Sequence, residues 1–265
     1  MVSRSMDLRT RLDKMTQELS EHVENLVLFQ VTESTHAMAR RVIAEMDDES
    51  QMLGATLIVA DRQDDGEGRG DRKWESPEGG LYLNWLRSGL GSETIARLPM
   101  LAATAAHAAV SGIGVSGARI KWPNDILIDG RKLAGLLVFA RHGETNWVTV
   151  GLGVNLESTP TLDHPEALPA TAIAEHVDGL DLENWRHALV CTFISELDRS
   201  MEEPGPALAR WRELLIHRPG DAMRVRLSSG KVVTGTLVDL SDEGFLRLRE
   251  NGEERVITGG DIIES

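Results

Sequence analysis

The sequence predicts an α+β protein: a mixed, largely antiparallel sheet backed by helices, followed by a small all-β unit. Three observations carry this. Short apolar runs alternate with helical patterns, without the strict strand–helix repetition that a doubly wound sheet requires. The segments ATLIVA, LYLNWL and WVTVGLGVNL have the length and β-branched content of strands. After about residue 218 the runs become short, alternating and turn-punctuated to the end.

Taken in order, Leu8, Leu12, Met15, Leu19, Val23 and Leu26 form an apolar stripe at spacings of three and four, which predicts an N-terminal surface helix within residues 1–27. The first strand-like run, LVLFQVT, follows. Thr35–Met46 and the Ala-rich Ile95–Val110 are expected to be helices, as is Asp181–Met201, with Pro204-Gly205-Pro206 punctuating its end. Residues 28–217 are therefore expected to form the main domain. Arg218-Pro219-Gly220 opens the remainder, 218–265, where AMRVRL, VVTGTLVDL, FLRLR and ERVITG are separated by Ser-Ser-Gly, Asp-Glu-Gly and Asn-Gly turns. Four to five strands in so short a span predict an SH3-like barrel.

The 265 residues, 41% apolar and 26% charged, suffice for a full core, and no apolar run reaches the roughly 20 residues of a membrane span. The N-terminus lacks an apolar signal core, so a cytoplasmic protein is expected. The net charge of −14 argues against a nucleic-acid partner, since such proteins neutralise phosphates with basic surface. So does the short stretch before the first strand, too short for a winged-helix module. The single cysteine, Cys191, excludes an intrachain disulfide and a cysteine-built zinc site. In HALVCTFISEL it reads as a small core residue, with neither a base nor an electropositive setting in view.

Three segments carry more polar and glycine content than their neighbours need. The first runs from Gln63 to Trp74 and on to Gly80. Gly66, Gly68 and Gly70 can free backbone N–H groups to face an anion, while Arg69, Arg72 and Lys73 add cationic donors and Trp74 a flat apolar surface. A solvated surface loop is the plainer reading. Arg69-Gly70-Asp71 is a chance adhesion-like tripeptide. The second, Lys121-Trp122-Pro123-Asn124-Asp125 to Gly135, reads as strand, bend, strand, an Asp129-Gly130 hairpin and a returning strand, with Pro123 holding Asn124 and Asp125 out of the ladder and Lys132 just past the turn. The third, Gly151-Leu152-Gly153-Val154-Asn155, is a strand whose alternate glycines permit close approach.

In order and spacing these segments resemble the biotin–protein ligases. The resemblance runs from Ser34-Thr35 through GxGRxxRxW at 66–74, KWPND at 121–125, RKLAG at 131–135 and GLGVNL at 151–156 to the terminal barrel. It implies that Ser34, Thr35, Gln63, Gly66, Gly68 and the main chain of Glu67 surround biotin, and that Gly135 leaves the ligand room. It implies that Arg69 and Lys132 face the biotin carboxylate and the α-phosphate of ATP, with Arg72, Trp74, Asn124, Asp125 and Asn155 around the nucleotide. ATP, Mg²⁺, a biotin carboxyl carrier protein and a homodimer are further implications; no residue is assigned as a metal ligand. Three positions depart from the family pattern: Glu67 stands where a basic residue is frequent, His36 where Asn follows Ser-Thr, and Phe139 where Glu is common. A lipoate-type ligase and a non-catalytic biotin- or adenylate-binding paralogue are the alternatives.

Overall fold

A computed structural model describes residues 7–70, 72–157, 159–160, 168–179 and 181–264. Asp71, and with it the end of the adhesion-like tripeptide, lies outside them. The chain opens with α1 (Leu8–Leu19), whose Asp7 cap accepts from the Thr10 amide at 3.1 Å. Met15 and Leu19 are buried as the stripe predicted, but the helix stops there, and Leu26 belongs instead to strand β1 (Asn25–Thr32). The cause is tertiary: Glu24 and Asn25 donate to the Ala55 carbonyl, which starts the sheet.

Helix α2 (Thr35–Asp48) crosses from β1 to the parallel strand β2 (Thr56–Gln63). Strand β3 (Gly80–Ser88), helix α3 (Ser92–Gly112), and strands β4 (Arg119–Lys121), β5 (Asp125–Ile128), β6 (Arg131–Arg141) and β7 (Trp147–Asn155) follow. The seven strands lie in the order β1-β2-β3-β7-β6-β5-β4, and every pairing after β1–β2 is antiparallel. This is the mixed, mainly antiparallel sheet expected. Asp129 and Gly130 take φ of 48° and 74°, the left-handed pair of a tight hairpin turn.

The period-2 alternation of the strands decides what each face meets. Leu57, Val59, Leu81, Leu83, Val150, Leu152 and Val154 pack with α3 and with α4 (Leu182–Glu202) in the main core. The opposite face buries Ile58, Leu86 and Trp147 under Ala39 and Ile43 of α2, with the Trp147 indole N–H donating to Asp47 at 3.1 Å. Beyond the start of α2 that face carries Gly151 and Gly153 of β7, and Gly135 of β6 opposite Gly153. A floor without side chains results.

Pro204-Gly205-Pro206 does more than end α4. Pro204 starts a further helix, α5 (Pro204–Leu214), because a proline's missing N–H costs nothing in a first turn. The terminal unit is a five-stranded antiparallel sheet, β8 (Ala222–Arg226), β9 (Val232–Leu240), β10 (Leu246–Glu250), β11 (Glu253–Ile257) and β12 (Asp261–Glu264), ordered β11-β10-β9-β8-β12. Its Asn251-Gly252 turn has both residues at positive φ, as that dipeptide predicts. Two bonds fasten it near KWPND: the Trp122 indole donates to the Gly244 carbonyl (2.9 Å) and Lys121 Nζ to the Ile262 carbonyl (3.0 Å).

Candidate active site

The site begins where α2 begins. Ser34, extended and buried, caps the helix by accepting from the Ala37 amide. Next to it the Thr35 amide and hydroxyl both donate to Gln63 Oε1, at 2.8 and 2.9 Å. The Gln63 amide in turn donates to Ser76 Oγ (2.8 Å), and the Ser76 hydroxyl donates to the Trp74 carbonyl (2.9 Å). One polar chain thus ties the start of α2 to both ends of the glycine-rich segment.

That segment is a narrow hairpin. The Trp74 amide donates to the Gly66 carbonyl and the Gly68 amide to the Arg72 carbonyl, both at 2.8 Å, with Glu67 opposite Lys73. The Gly68 N–H is therefore spent inside the loop and does not face an anion. Gly66 is required for another reason: a β-carbon there would stand 2.3 Å from the Trp74 carbonyl oxygen. The Glu67 side chain turns away to α2, where Arg40 donates to both its oxygens at 2.7 and 2.9 Å. An acid at this position therefore need not repel a bound anion.

Trp74 lies on the glycine floor. β-Carbons on Gly135 and Gly153 would come within 2.8 and 2.5 Å of its ring, so Gly135 makes room for the indole. Lys132 Nζ sits 4.9 Å from the ring centroid, a cation–π contact, and 2.7 Å from Asp125 Oδ1. Beneath it the Asn155 amide donates to the Lys132 and Thr171 carbonyls (3.3 and 3.0 Å), so Asn155 positions Lys132 through its main chain. Asn124 is locked to β6 by reciprocal bonds with the Leu136 main chain.

Arg69 reaches the same corner from the other side. Its Nη1 is 3.5 Å from Asn124 Oδ1, 3.0 Å from the Gly260 carbonyl and 3.3 Å from Asp261 Oδ1, and Arg72 Nη2 is 2.9 Å from that same carboxylate oxygen. Arg69 and Lys132, 63 positions apart in the chain, therefore converge on the Asn124-Asp125 corner. Each carries one carboxylate, Asp261 and Asp125 respectively. Burial pulls the Arg69 guanidinium below its usual value, with Asp261 opposing. Burial likewise lowers neighbouring Lys121, with Asp125 opposing.

Two of the sequence departures form a single contact. The His36 and Phe139 rings meet edge to face at 6.1 Å. Burial first, and Arg40 second, push His36 down to about 4, so it is neutral at pH 7. Its Nδ1 accepts from Asn84 Nδ2 (3.2 Å) and lies 3.4 Å from Thr149 Oγ1. Asn84 Oδ1 is left buried with no partner among the described residues.

The sequence reading missed Asp261, Gly260, Ser76 and Arg40. Ser76 had a local signal, a hydroxyl two residues past Trp74. Asp261 had none, because only the strand order of the terminal sheet brings it to Arg69. Cys191 is half-buried and not a pure core residue; His187, one helical turn earlier, stands 3.7 Å from its sulfur. That base was visible in the spacing.

Residues 28–155 match the biotin/lipoate A/B protein ligase family and residues 223–263 the biotin protein ligase C-terminal domain, together well over half of the chain. The chain belongs to the biotin protein ligase family. It is 29% identical over 263 residues to the bifunctional ligase/repressor BirA of Bacillus subtilis, spanning 95% of this chain and 77% of that protein. It is equally similar, 29% over 254 residues, to the biotin–[acetyl-CoA-carboxylase] ligase of Paracoccus denitrificans, covering 88% of this chain and 97% of the relative. The biotin protein ligase of Aquifex aeolicus, solved in complex with biotin and ATP, shares the fold with a TM-score of 0.68 at 23% identity, over 90% of this chain and 97% of that one.

Proposed function

We propose that this protein is a biotin–protein ligase, which joins biotin to ATP as biotinyl-5′-AMP and passes the biotinyl group to a lysine of a biotin carboxyl carrier domain. The observation that carries this is the convergence of Arg69 and Lys132 on one corner beside a side-chain-free floor. A carboxylate is already a nucleophile at pH 7, so the first step asks for no general base. What it costs is bringing two anions together, roughly 4 kcal/mol for unit charges about 4 Å apart at an effective dielectric constant near 20. Two cations in one half-buried corner offset that repulsion and hold the carboxylate oxygen in line with the α-phosphorus as pyrophosphate leaves. In the second step the acceptor amine attacks the mixed anhydride and AMP departs. Residues 64–70, strapped to α2 by Arg40–Glu67, would cover the anhydride against water.

In this reading Ser34, Thr35, Gln63, Gly66, Gly68 and the main chain of Glu67 hold the biotin ring. Arg69 and Lys132 hold its carboxylate, and Gly135 the clearance above the sheet. Arg72, Trp74, Asn124 and Asp125 surround the nucleotide, and Asn155 acts through Lys132. Among the described residues no cluster of three metal-ligating side chains lies at this corner, and Asp125 and Asp261 already hold cations. Asp125 and Asp261 are the carboxylates that would face a Mg²⁺ bound with ATP, which would supply neutralisation of the triphosphate charge. The reading includes a cytoplasmic location, no nucleic-acid partner and a homodimer. The net charge of −14 supports the second of these, and the edge of β1, unpaired among the described residues, with exposed Val27 and Val31 supports the third.

The family model spans biotin and lipoate enzymes alike; the biotin-type terminal domain favours biotin. Biotin-dependent exchange of pyrophosphate into ATP, with lipoate and octanoate as rivals, tests the choice. Exchange with biotin alone is expected. Exchange driven by lipoate and not by biotin would replace the reading with the lipoate one, and exchange with none would leave a non-catalytic paralogue.

A further inference from the structure

Far from this corner, α1 and α4 bring together three groups that the ligase chemistry does not use. His187 and Cys191 stand four apart on α4 and so project from one face. Glu18, in the last turn of α1, faces them. His187 Nε2 is 2.8 Å from Glu18 Oε2 and 3.7 Å from Cys191 Sγ, and the three ligand atoms all lie within 4.8 Å of one another. Metal–ligand bonds of about 2.0–2.3 Å at tetrahedral angles require ligand atoms roughly 3.3–3.6 Å apart, so small adjustments close this triangle around an ion. His187 and Cys191 are half-buried while the Glu18 carboxylate is 47% exposed, which leaves an entry path. A hollow of about 10 Å³ lined by Arg11, Lys14, Met15, Glu183, Asn184 and His187 adjoins the imidazole, about the space of one water.

We propose that Glu18, His187 and Cys191 form a zinc site, completed by one water, that clips α1 onto α4. The mixed thiolate–imidazole–carboxylate set selects a borderline-soft ion over Mg²⁺ or Ca²⁺, and it is a different set from the several-cysteine site that the composition excludes. Nearby charges act in both directions. Lys14 faces Glu18 and Cys191 and opposes a cation. Arg11 is already committed to Asp61 and Glu183. Burial, with Glu18 next, raises the thiol to about 12, so without an ion it is inert. On binding, the thiol proton leaves to solvent, as does any proton on Nε2, and affinity therefore rises with pH. The clip would add to the Arg11–Asp61 ion pair and to buried Met15 and Leu19 in holding α1.

The experiment uses the full chain stripped by a chelator and titrated with Zn²⁺ or Co²⁺, and it reads no ligase activity, so it is independent of the proposed function. Expected are one equivalent of metal per chain, a thiolate-to-cobalt charge-transfer band, and Zn²⁺ protection of Cys191 from alkylation. Cys191→Ser and His187→Gln are expected to weaken binding at least about 100-fold, and Glu18→Gln about tenfold. The alkylation assay needs no variant, and the variants are compared only if their chelated circular dichroism matches the parent. Absence of the cobalt band, unprotected Cys191 at saturating zinc, or equal zinc affinity in Cys191→Ser would overturn the site and leave only a His187–Glu18 ion pair.

Discussion

Replacing Lys132 by alanine tests how the corner works, because Lys132 offsets negative charge from two sources at once: the pair of reacting anions and Asp125 at 2.7 Å. Lys132 is 23% and Asp125 17% exposed, so neither is fully screened by water. Removing one unit charge about 4 Å from the developing transition state costs roughly 4 kcal/mol at an effective dielectric constant near 20, on the order of 10³-fold in rate. The variant also strands Asp125 as an unpaired carboxylate beside two anions, which deepens the loss. Lys132→Ala is therefore expected to lower biotin-dependent pyrophosphate exchange by at least about 10³-fold, and adding Asp125→Asn to recover about tenfold of it by removing the stranded charge. The assay is isotope exchange at saturating ATP, with melting temperature as the fold control. Near-normal exchange in Lys132→Ala, or a double variant worse than the single one in equally folded protein, would refute this account.

Three further outcomes follow from other parts of the molecule. Gly153→Val places carbon within 2.5 Å of the Trp74 indole nitrogen; exchange should collapse and Trp74 fluorescence should shift, and retained activity would mean that the floor need not be bare. His36 and His217 are each pushed down to about 4 by burial. In the unfolded chain they take up protons near 6.5, so their stability contribution is full above that pH and is lost as pH falls towards 4, roughly 3 kcal/mol per histidine; denaturant melts should show this slope and His36→Asn should flatten part of it, an unchanged slope being the contrary result. Phe193→Ala, at a wholly buried position of α4 in the main core, should cost about 3–5 kcal/mol in urea unfolding without changing KM for biotin.

What could be read from the sequence was what is contiguous along it. The Asp129-Gly130 turn forces β5 and β6 into a hairpin through left-handed φ values, so RKLAG returns beside KWPND by local geometry alone. The alternate glycines of β7 and Gly135 of β6 share a face because strand period and register require it. The hidden parts depend on long-range closure. Strand β12 reaches Arg69 only because it pairs with β8, about 35 residues earlier, in a sheet that docks on Trp122 and Lys121. The Arg40–Glu67 pair needs α2 laid beside the loop, which no pattern in either segment announces. Pro204-Gly205-Pro206 ends α4 as expected, but helix α5 stayed hidden for another reason: proline and glycine mark a helix start as readily as an end, and only the buried Ala207, Trp211 and Leu214 reveal the second role.

The departures at 36, 67 and 139 are absorbed by neighbours rather than by the ligand corner. The Glu67 side chain is held in an ion pair with Arg40, and the His36 and Phe139 rings meet in one aromatic contact. Each change would be costly alone: an unpaired acid beside two anions, or a buried imidazole without an acceptor role. With Arg40, Asn84 and Thr149 supplying partners, the Arg69–Asn124–Asp125–Lys132 corner keeps its charges. The buried Asn84 oxygen next to His36 has no partner among the described residues. It lies on the same sheet face as the glycine floor, opposite Gly151. If it receives a ring N–H of the bound acid, Asn84→Leu should raise KM for biotin about tenfold or more while kcat changes little, since a hydrogen bond kept in ground and transition state alike contributes only to binding. A fall in kcat at constant KM would instead assign Asn84 to holding His36 and the start of α2.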